Sequence, residues 1–171
     1  MLKFRPLFKV AVRFTIKKWH VRKTNPEDVA EVNRRTAQLK EAFKAKGLLL
    51  FEPGQHGGSS MDGNFARRIF DMPQFVSEQT GLSVQLIKAY KTIWTALAST
   101  LPICPMKFQQ YCDGVREMYD RECGWYQMPP TLHKILSHGG EILRLFPSSL
   151  SSGHFSEEPA EASNKDVKGD V

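Results

Sequence analysis

The sequence predicts a mainly α-helical fold with one β-strand at its N-terminus. Apolar residues recur every three or four positions in several stretches after residue 24, which is the period of an amphipathic helix. Alternation with a period of two is confined to the first residues. Proline and glycine clusters separate these patterns and divide the chain into segments 1–23, 24–60, 61–147 and 148–171.

The N-terminal strand is predicted from two alternating sets of residues. The odd positions are basic: Lys3, Arg5, Lys9, Arg13 and Lys17. The even positions are apolar: Phe4, Phe8, Val10, Val12, Phe14 and Ile16. A single amphipathic strand cannot satisfy its own backbone, so this pattern indicates a missed β partner or an incomplete fold. A mitochondrial presequence is an alternative, since the first 26 residues hold eight Lys and Arg and no acid.

The helices follow in order. Asn25 can cap the first one, Pro26 suits its first position, and Gly47 ends it. Residues 52–60 are a glycine-rich linker. Further helices are predicted over 61–70, 83–100, 106–122 and 131–146, the last interrupted at Gly139 and Gly140, and a short one begins at Ser156.

Composition excludes several classes of protein. The chain has 171 residues, of which 41% are hydrophobic and 25% charged, as expected for one modest hydrophobic core. No run of 18 apolar residues occurs, so no membrane span is predicted. The three cysteines are widely spaced and form no Cys-x-x-Cys, which favours a reduced intracellular chain.

The formal net charge of +6 is unevenly distributed. Residues 1–70 hold 15 Lys and Arg against 6 Asp and Glu, whereas residues 71–171 hold 9 against 12. A basic half favours a polyanionic partner, because each contacted phosphate releases a counterion. A solubilising surface is the alternative.

Three groups of residues could carry chemistry. Glu157 lies at the predicted start of the last helix, where a carboxylate can bind a divalent cation or cap the helix dipole. His133 and His138 could bind Zn²⁺, but five residues are about 500° around a helix, so they are not expected to share a face. Arg67 and Arg68 suit a phosphate or a solvated surface.

Three motifs in one order carry a family resemblance: 62–68 (DGNFARR), 132–142 (LHKILSHGGEI) and 155–165 (FSEEPAEASNK). Together they resemble the C-terminal catalytic region of the V(D)J recombinase catalytic subunit (recombination-activating protein one) and its Transib-type transposase relatives. Residues 125–136 also resemble proteins of cut-and-paste DNA transposons. The resemblance covers roughly residues 61–166.

The resemblance implies an RNase H-like DDE recombinase, of which this chain would be the helical C-terminal part. Two Asp and one Glu of such enzymes hold two Mg²⁺ or Mn²⁺ ions, and the Glu matches Glu157. His133 and His138 match a pair that completes a structural Zn²⁺ site with two cysteines from an earlier segment. Arg67 and Arg68 match a basic pair near DNA, with Asn64 a candidate contact on the same helix.

The departures from the family indicate a fragment. The 60 residues before the first motif do not hold the two Asp-bearing strands, no Cys-x-x-Cys completes a zinc site, and Glu158 and Pro159 replace a Gly-Asn pair. The expected function is therefore that of an inactive piece of a nuclear DNA recombinase, whose complete form would act as a homodimer or with an accessory subunit. The alternative is a non-catalytic, domesticated DNA-binding or interaction remnant.

Overall fold

The computed structural model describes residues 5–22, 24–48, 63–99 and 101–145, and these form seven α-helices. The helices are α1 (Arg5–Ala11), α2 (Pro26–Ala45), α3 (Gly63–Phe70), α4 (Pro73–Thr80), α5 (Val84–Ala98), α6 (Pro105–Cys123) and α7 (Pro130–Arg144). These ranges contain no β-strand, so the mainly α fold class is confirmed, while the RNase H-like assignment stays a prediction. No helix within them is long and apolar enough to cross a bilayer.

The predicted N-terminal strand is wrong, because the chain forms α1 there and continues as turns to Lys17. Leu7 and Ala11 occupy odd positions, which a strand would have turned to solvent, yet they are buried with Phe8 and Val10. These four residues follow the i, i+3, i+4 spacing of one helical face. The apolar side of α1 is thus buried in the core of this chain and needs no strand partner.

The predicted helix after residue 24 is confirmed as α2. The Asp28 amide donates to the Asn25 side chain at 3.4 Å, and Pro26 occupies the first helical position. Leu39 and Phe43 of the predicted apolar face are buried, and Gly47 follows the helix end with a φ of +69°. The predicted helices over 61–70, 83–100 and 106–122 correspond to α3, α5 and α6.

Helix α4 was not predicted from the sequence. Pro73 opens this eight-residue helix, and Gly81 ends it with a φ of +80°. A Cβ at Gly81 would lie 2.6 Å from Cδ1 of Phe14, so the segment after α1 packs directly on the turn between α4 and α5. The turn therefore needs glycine both for its left-handed backbone and for this close approach.

The predicted interruption at Gly139 and Gly140 is also wrong, because α7 runs through both glycines. The N-terminal half of α6 packs against this part of α7, so the two helices are antiparallel. A Cβ at Gly139 would lie 2.7 Å from the Phe108 ring, and one at Gly140 would lie 2.7 Å from the Pro105 carbonyl oxygen. The two glycines allow close helix packing and do not break the helix.

Candidate metal half-site and basic surface

Helix α7 brings the imidazole rings of His133 and His138 together. Their centroids are 5.9 Å apart, and the rings stand at 81° to each other. Their side chains therefore approach each other, although the two positions are five residues apart on a continuous helix and do not share a face. This ring spacing is compatible with two imidazoles binding one ion, since Zn–N bonds are about 2.0–2.1 Å.

Each imidazole is oriented by a neighbour on the same helix. The Nδ1 atom of His133 lies 3.3 Å from the Ser137 hydroxyl, and Nδ1 of His138 lies 3.2 Å from a carboxylate oxygen of Glu141. Both contacts are made by Nδ1, so they leave the Nε2 atom of each ring available to a further partner. A carboxylate on the other ring nitrogen is the usual partner of a metal-bound histidine, because it fixes the ring and raises its basicity.

Two imidazoles supply at most half of the ligands that a structural Zn²⁺ needs. Structural Zn²⁺ takes four ligands, and the described part of the chain contains no group of three or more His, Cys, Asp or Glu side chains placed to hold a metal. Cys112 and Cys123 are buried, and burial raises the pKa of each thiol to about 12. Neither cysteine is therefore a ready thiolate ligand for an ion that the two histidines would bind.

A polar cavity of about 310 Å³ lies beside the two histidines, between α6 and α7. It is lined by Gln109, Asp113, Ser137, Gly140, Glu141 and Arg144. Ser137 and Glu141 are the residues that contact the two imidazoles, so the cavity and the histidine pair share a wall.

Gln109 ties α6 to the turn of α7 that separates the two histidines. Its amide nitrogen donates to the Leu136 carbonyl at 2.9 Å, and its amide oxygen accepts from the Gly140 N–H at 2.9 Å. These two backbone groups are an i, i+4 pair, so one side chain engages both groups of a single helical rung. The distance between α6 and α7 is consequently fixed at the histidine site.

Arg67 and Arg68 lie on the exposed side of α3, but they point to different neighbours. The Arg67 guanidinium stacks over the Trp94 ring with its carbon 5.4 Å from the ring centroid. An Arg68 nitrogen lies 3.5 Å from where a Cβ of Gly47 would be, beside the C-terminus of α2. A cation there also interacts favourably with the α2 dipole. Lys44 and Lys46 lie at the same helix end.

Part of the basic charge of the N-terminal half is used inside the fold. Arg34 forms a two-point contact with Glu31 at 2.7 and 2.8 Å, and an Arg35 nitrogen donates to the Gln79 carbonyl at 2.8 Å. Lys18 pairs with Asp28 at 2.6 Å. The hydrogen bond from Arg34, followed by one from Thr15, lowers the pKa of Glu31 to about 2. Arg35 and Lys18 thus join α2 to other segments, whereas the Arg34 contact lies within α2, and all three cations already have a partner in the fold.

Two sequence-predicted site residues are not tested by these contacts. Glu157, with the Ser-rich loop and helix predicted around it, lies outside the described residues. Asn64 lies in the first turn of α3, on the same short helix as the two arginines.

The site residues Ser137, Glu141 and Gln109 were not predicted from the sequence. The first two could have been found from their spacing, because they lie four and three residues after the histidines that they contact. Gln109 gives no comparable signal, since it is 27 residues away from Leu136 in the sequence. No protein-family model matches this chain, and no curated protein is significantly similar to it.

Proposed function

We propose that this chain is part of a transposase- or recombinase-like protein that, in its complete form, cuts and joins DNA by two-metal phosphoryl transfer. In this proposal Arg67 and Arg68 contact phosphate, with Asn64 beside them, and Glu157 ligates a catalytic Mg²⁺ or Mn²⁺. His133 and His138 hold a structural Zn²⁺ together with two cysteines from another segment. The chain alone is expected to cleave nothing, because one carboxylate does not hold two metal ions.

The paired histidines carry this proposal. The motif order alone did not require the two rings to meet, yet α7 places them 5.9 Å apart with their Nδ1 atoms oriented by Ser137 and Glu141. Two nearby imidazoles, each with a hydrogen-bond partner on its Nδ1 atom, are what two histidine ligands of one ion require. It supports the resemblance at a position where helical spacing alone predicted two different faces.

A Ni²⁺ titration of the full chain tests the half-site, since imidazole nitrogens bind this ion well. A chelating pair loses its affinity when either member is removed. We therefore expect His133→Ala, His138→Ala and the double variant to show the same loss, of about tenfold or more. His20→Ala is the matched control and should bind as the wild type does. If each single variant lost only half of the Ni²⁺ affinity that the double variant loses, the two histidines would bind independently and a shared site would be contradicted.

A salt-dependent gel shift tests the basic pair. Arg67→Ala/Arg68→Ala should weaken binding to any duplex and lower the salt slope by about one per lost phosphate contact. The control is Arg116→Ala/Arg121→Ala, which removes the same charge from the exposed side of α6. Equal effects of the two double variants would mean that only net charge matters. Absence of binding at low salt would remove the support for a DNA function.

The flanking genomic DNA tests the catalytic part of the proposal. Upstream sequence that encodes two Asp-bearing strands and a Cys-x-x-Cys would support a split recombinase gene, whose product would be nuclear and would act as a dimer or with an accessory subunit. Unrelated intact sequence in that place would favour the alternative.

The alternative is a non-catalytic DNA-binding or interaction module, and one observation favours it. The N-terminal segment, expected to need a missing β partner, instead buries Leu7, Phe8 and Val10 in the core that the other helices form. A module with its own core is what a domesticated remnant would retain. The same burial argues against a presequence that is cleaved, and import of a fluorescent fusion into mitochondria would contradict this reasoning.

A further inference from the structure

Helices α4 and α5 are joined by a three-residue turn. Helix α4 ends at Thr80, α5 begins at Val84, and Gly81 in the turn has a φ of +80°. Ser83 closes the turn by accepting the Leu86 N–H with its hydroxyl at 3.1 Å, as a helix N-cap does. A glycine-containing turn of three residues between two helices is the connection found in the helix-turn-helix motif.

The burial pattern shows that this turn is a packed unit. One residue set forms the inside of the motif, each member 0% exposed: Val76, Thr80, Leu82, Ile87 and Tyr90. The Thr80 hydroxyl donates to the Val76 carbonyl at 2.6 Å and accepts the Leu82 N–H at 3.3 Å, so the buried polar group is satisfied. Helix α3 packs against both α4 and α5, which gives the three-helix form of the motif.

The outer face of α5 is a continuous polar stripe. Gln85, Lys88, Thr92 and Thr95 are exposed and lie three or four residues apart, on one side of the helix. Helix α5 contains two lysines and no acidic residue. Gln, Lys and Thr are side chains that hydrogen-bond to base edges in the major groove, and the absence of carboxylates from this helix suits a polyanion.

We infer that α3, α4 and α5 form a helix-turn-helix unit that lays the Gln85–Lys88–Thr92 face of α5 into the major groove of duplex DNA. The Glu122 carboxylate accepts the Ser83 N–H at 3.0 Å at the start of α5, so the N-terminus of this helix already holds an anion. Recognition therefore relies on the side chains of the stripe. Lys91 is paired with Asp71 at 2.7 Å, which leaves Lys88 as the cation of this face.

This inference adds to the proposed function a surface that recognises DNA sequence. It rests on the proposed function, because it takes DNA as the partner. It separates two kinds of contact within one unit. The arginines of α3 would neutralise phosphate on any duplex, whereas the α5 stripe would distinguish one duplex from another.

Selection of binding sites from a random duplex library, with the full chain as bait, tests the inference. We expect an enriched sequence, and we expect Gln85→Ala/Lys88→Ala to bind it about tenfold more weakly or worse. The matched control is Lys107→Ala/Gln110→Ala, which removes the same two residue types at the same spacing from the exposed side of α6. All four side chains are exposed, and circular dichroism should confirm that each variant remains folded.

The outcomes distinguish the two proposals. Loss of the enriched preference in the α5 variant, with the α6 control unchanged, supports the inference. Binding that is equal on all duplexes, depends on Arg67 and Arg68 and is unaffected by the α5 variant overturns the inference but leaves the phosphate contacts of the proposed function. Failure to bind any duplex overturns both, and a protein partner on the α5 face would then explain the polar stripe.

Discussion

Replacing Gly140 with alanine is expected to destabilise the protein, although alanine is the better helix former. The new Cβ would lie 2.7 Å from the Pro105 carbonyl oxygen and 2.8 Å from Cβ of Gln109. An ordinary contact begins near 3.4 Å, so α6 and α7 would have to separate by about 0.7 Å. The Pro105 oxygen belongs to the backbone, and it cannot move aside without the helix that carries it.

The magnitude follows from three contributions. Overpacking in a tight interface costs about 1–3 kcal/mol. The separation would also stretch the two 2.9 Å hydrogen bonds of Gln109, each worth about 1 kcal/mol. The gain in helix propensity offsets about 1 kcal/mol of this. The expected net loss is about 2–4 kcal/mol in the free energy of unfolding.

Gly114→Ala is the matched control. Gly114 is also inside a helix of the same pair, but a Cβ there meets nothing within 4 Å. The same substitution should therefore stabilise the protein by about 0.5–1 kcal/mol. Urea unfolding of both variants, followed by circular dichroism at 222 nm, gives the two free energies. Equal stability of the two variants would refute the close packing of α6 on α7.

The remaining predictions concern single side chains. Glu31→Gln should flatten the dependence of stability on pH below about pH 5. The folded-state pKa of this carboxyl is lowered from 4.5 to about 2, so it contributes stability above pH 4.5 that is lost as the pH falls towards 2. Acid unfolding curves of the variant and the wild type that coincide would contradict this. An alkylating reagent should modify Cys104 of the native protein first, because this thiol is exposed and backbone N–H donors, chiefly that of Lys107, lower its pKa. The buried Cys112 and Cys123 should react only on unfolding. Equal modification of all three cysteines by mass spectrometry would contradict this burial. Tyr90→Phe should leave the stability unchanged or raise it by about 1 kcal/mol, because the buried hydroxyl has no hydrogen-bond partner among the described residues. A loss of more than about 1 kcal/mol in urea unfolding would show that a partner exists.

The sequence by itself determined most of the helices. Where a cap, a proline and an apolar period coincide, as at Asn25 and Pro26, local interactions specify the start of a helix whatever packs on it. The family resemblance likewise rested on residues that sequence alone displays, and the histidine pair was found this way.

Only the tertiary structure decided the features that depend on a neighbour distant in sequence. The alternating pattern of residues 5–17 predicted a strand, and a core that accepts Leu7 and Ala11 selected a helix over Arg5–Ala11. Gly139 and Gly140 indicated a helix break in the sequence. In the fold they lie so close to Phe108 and Pro105 that a Cβ would not fit. The spacing around an ideal helix likewise places His133 and His138 on different faces. Their side chains nevertheless approach each other, each hydrogen-bonded to a neighbour on the same helix.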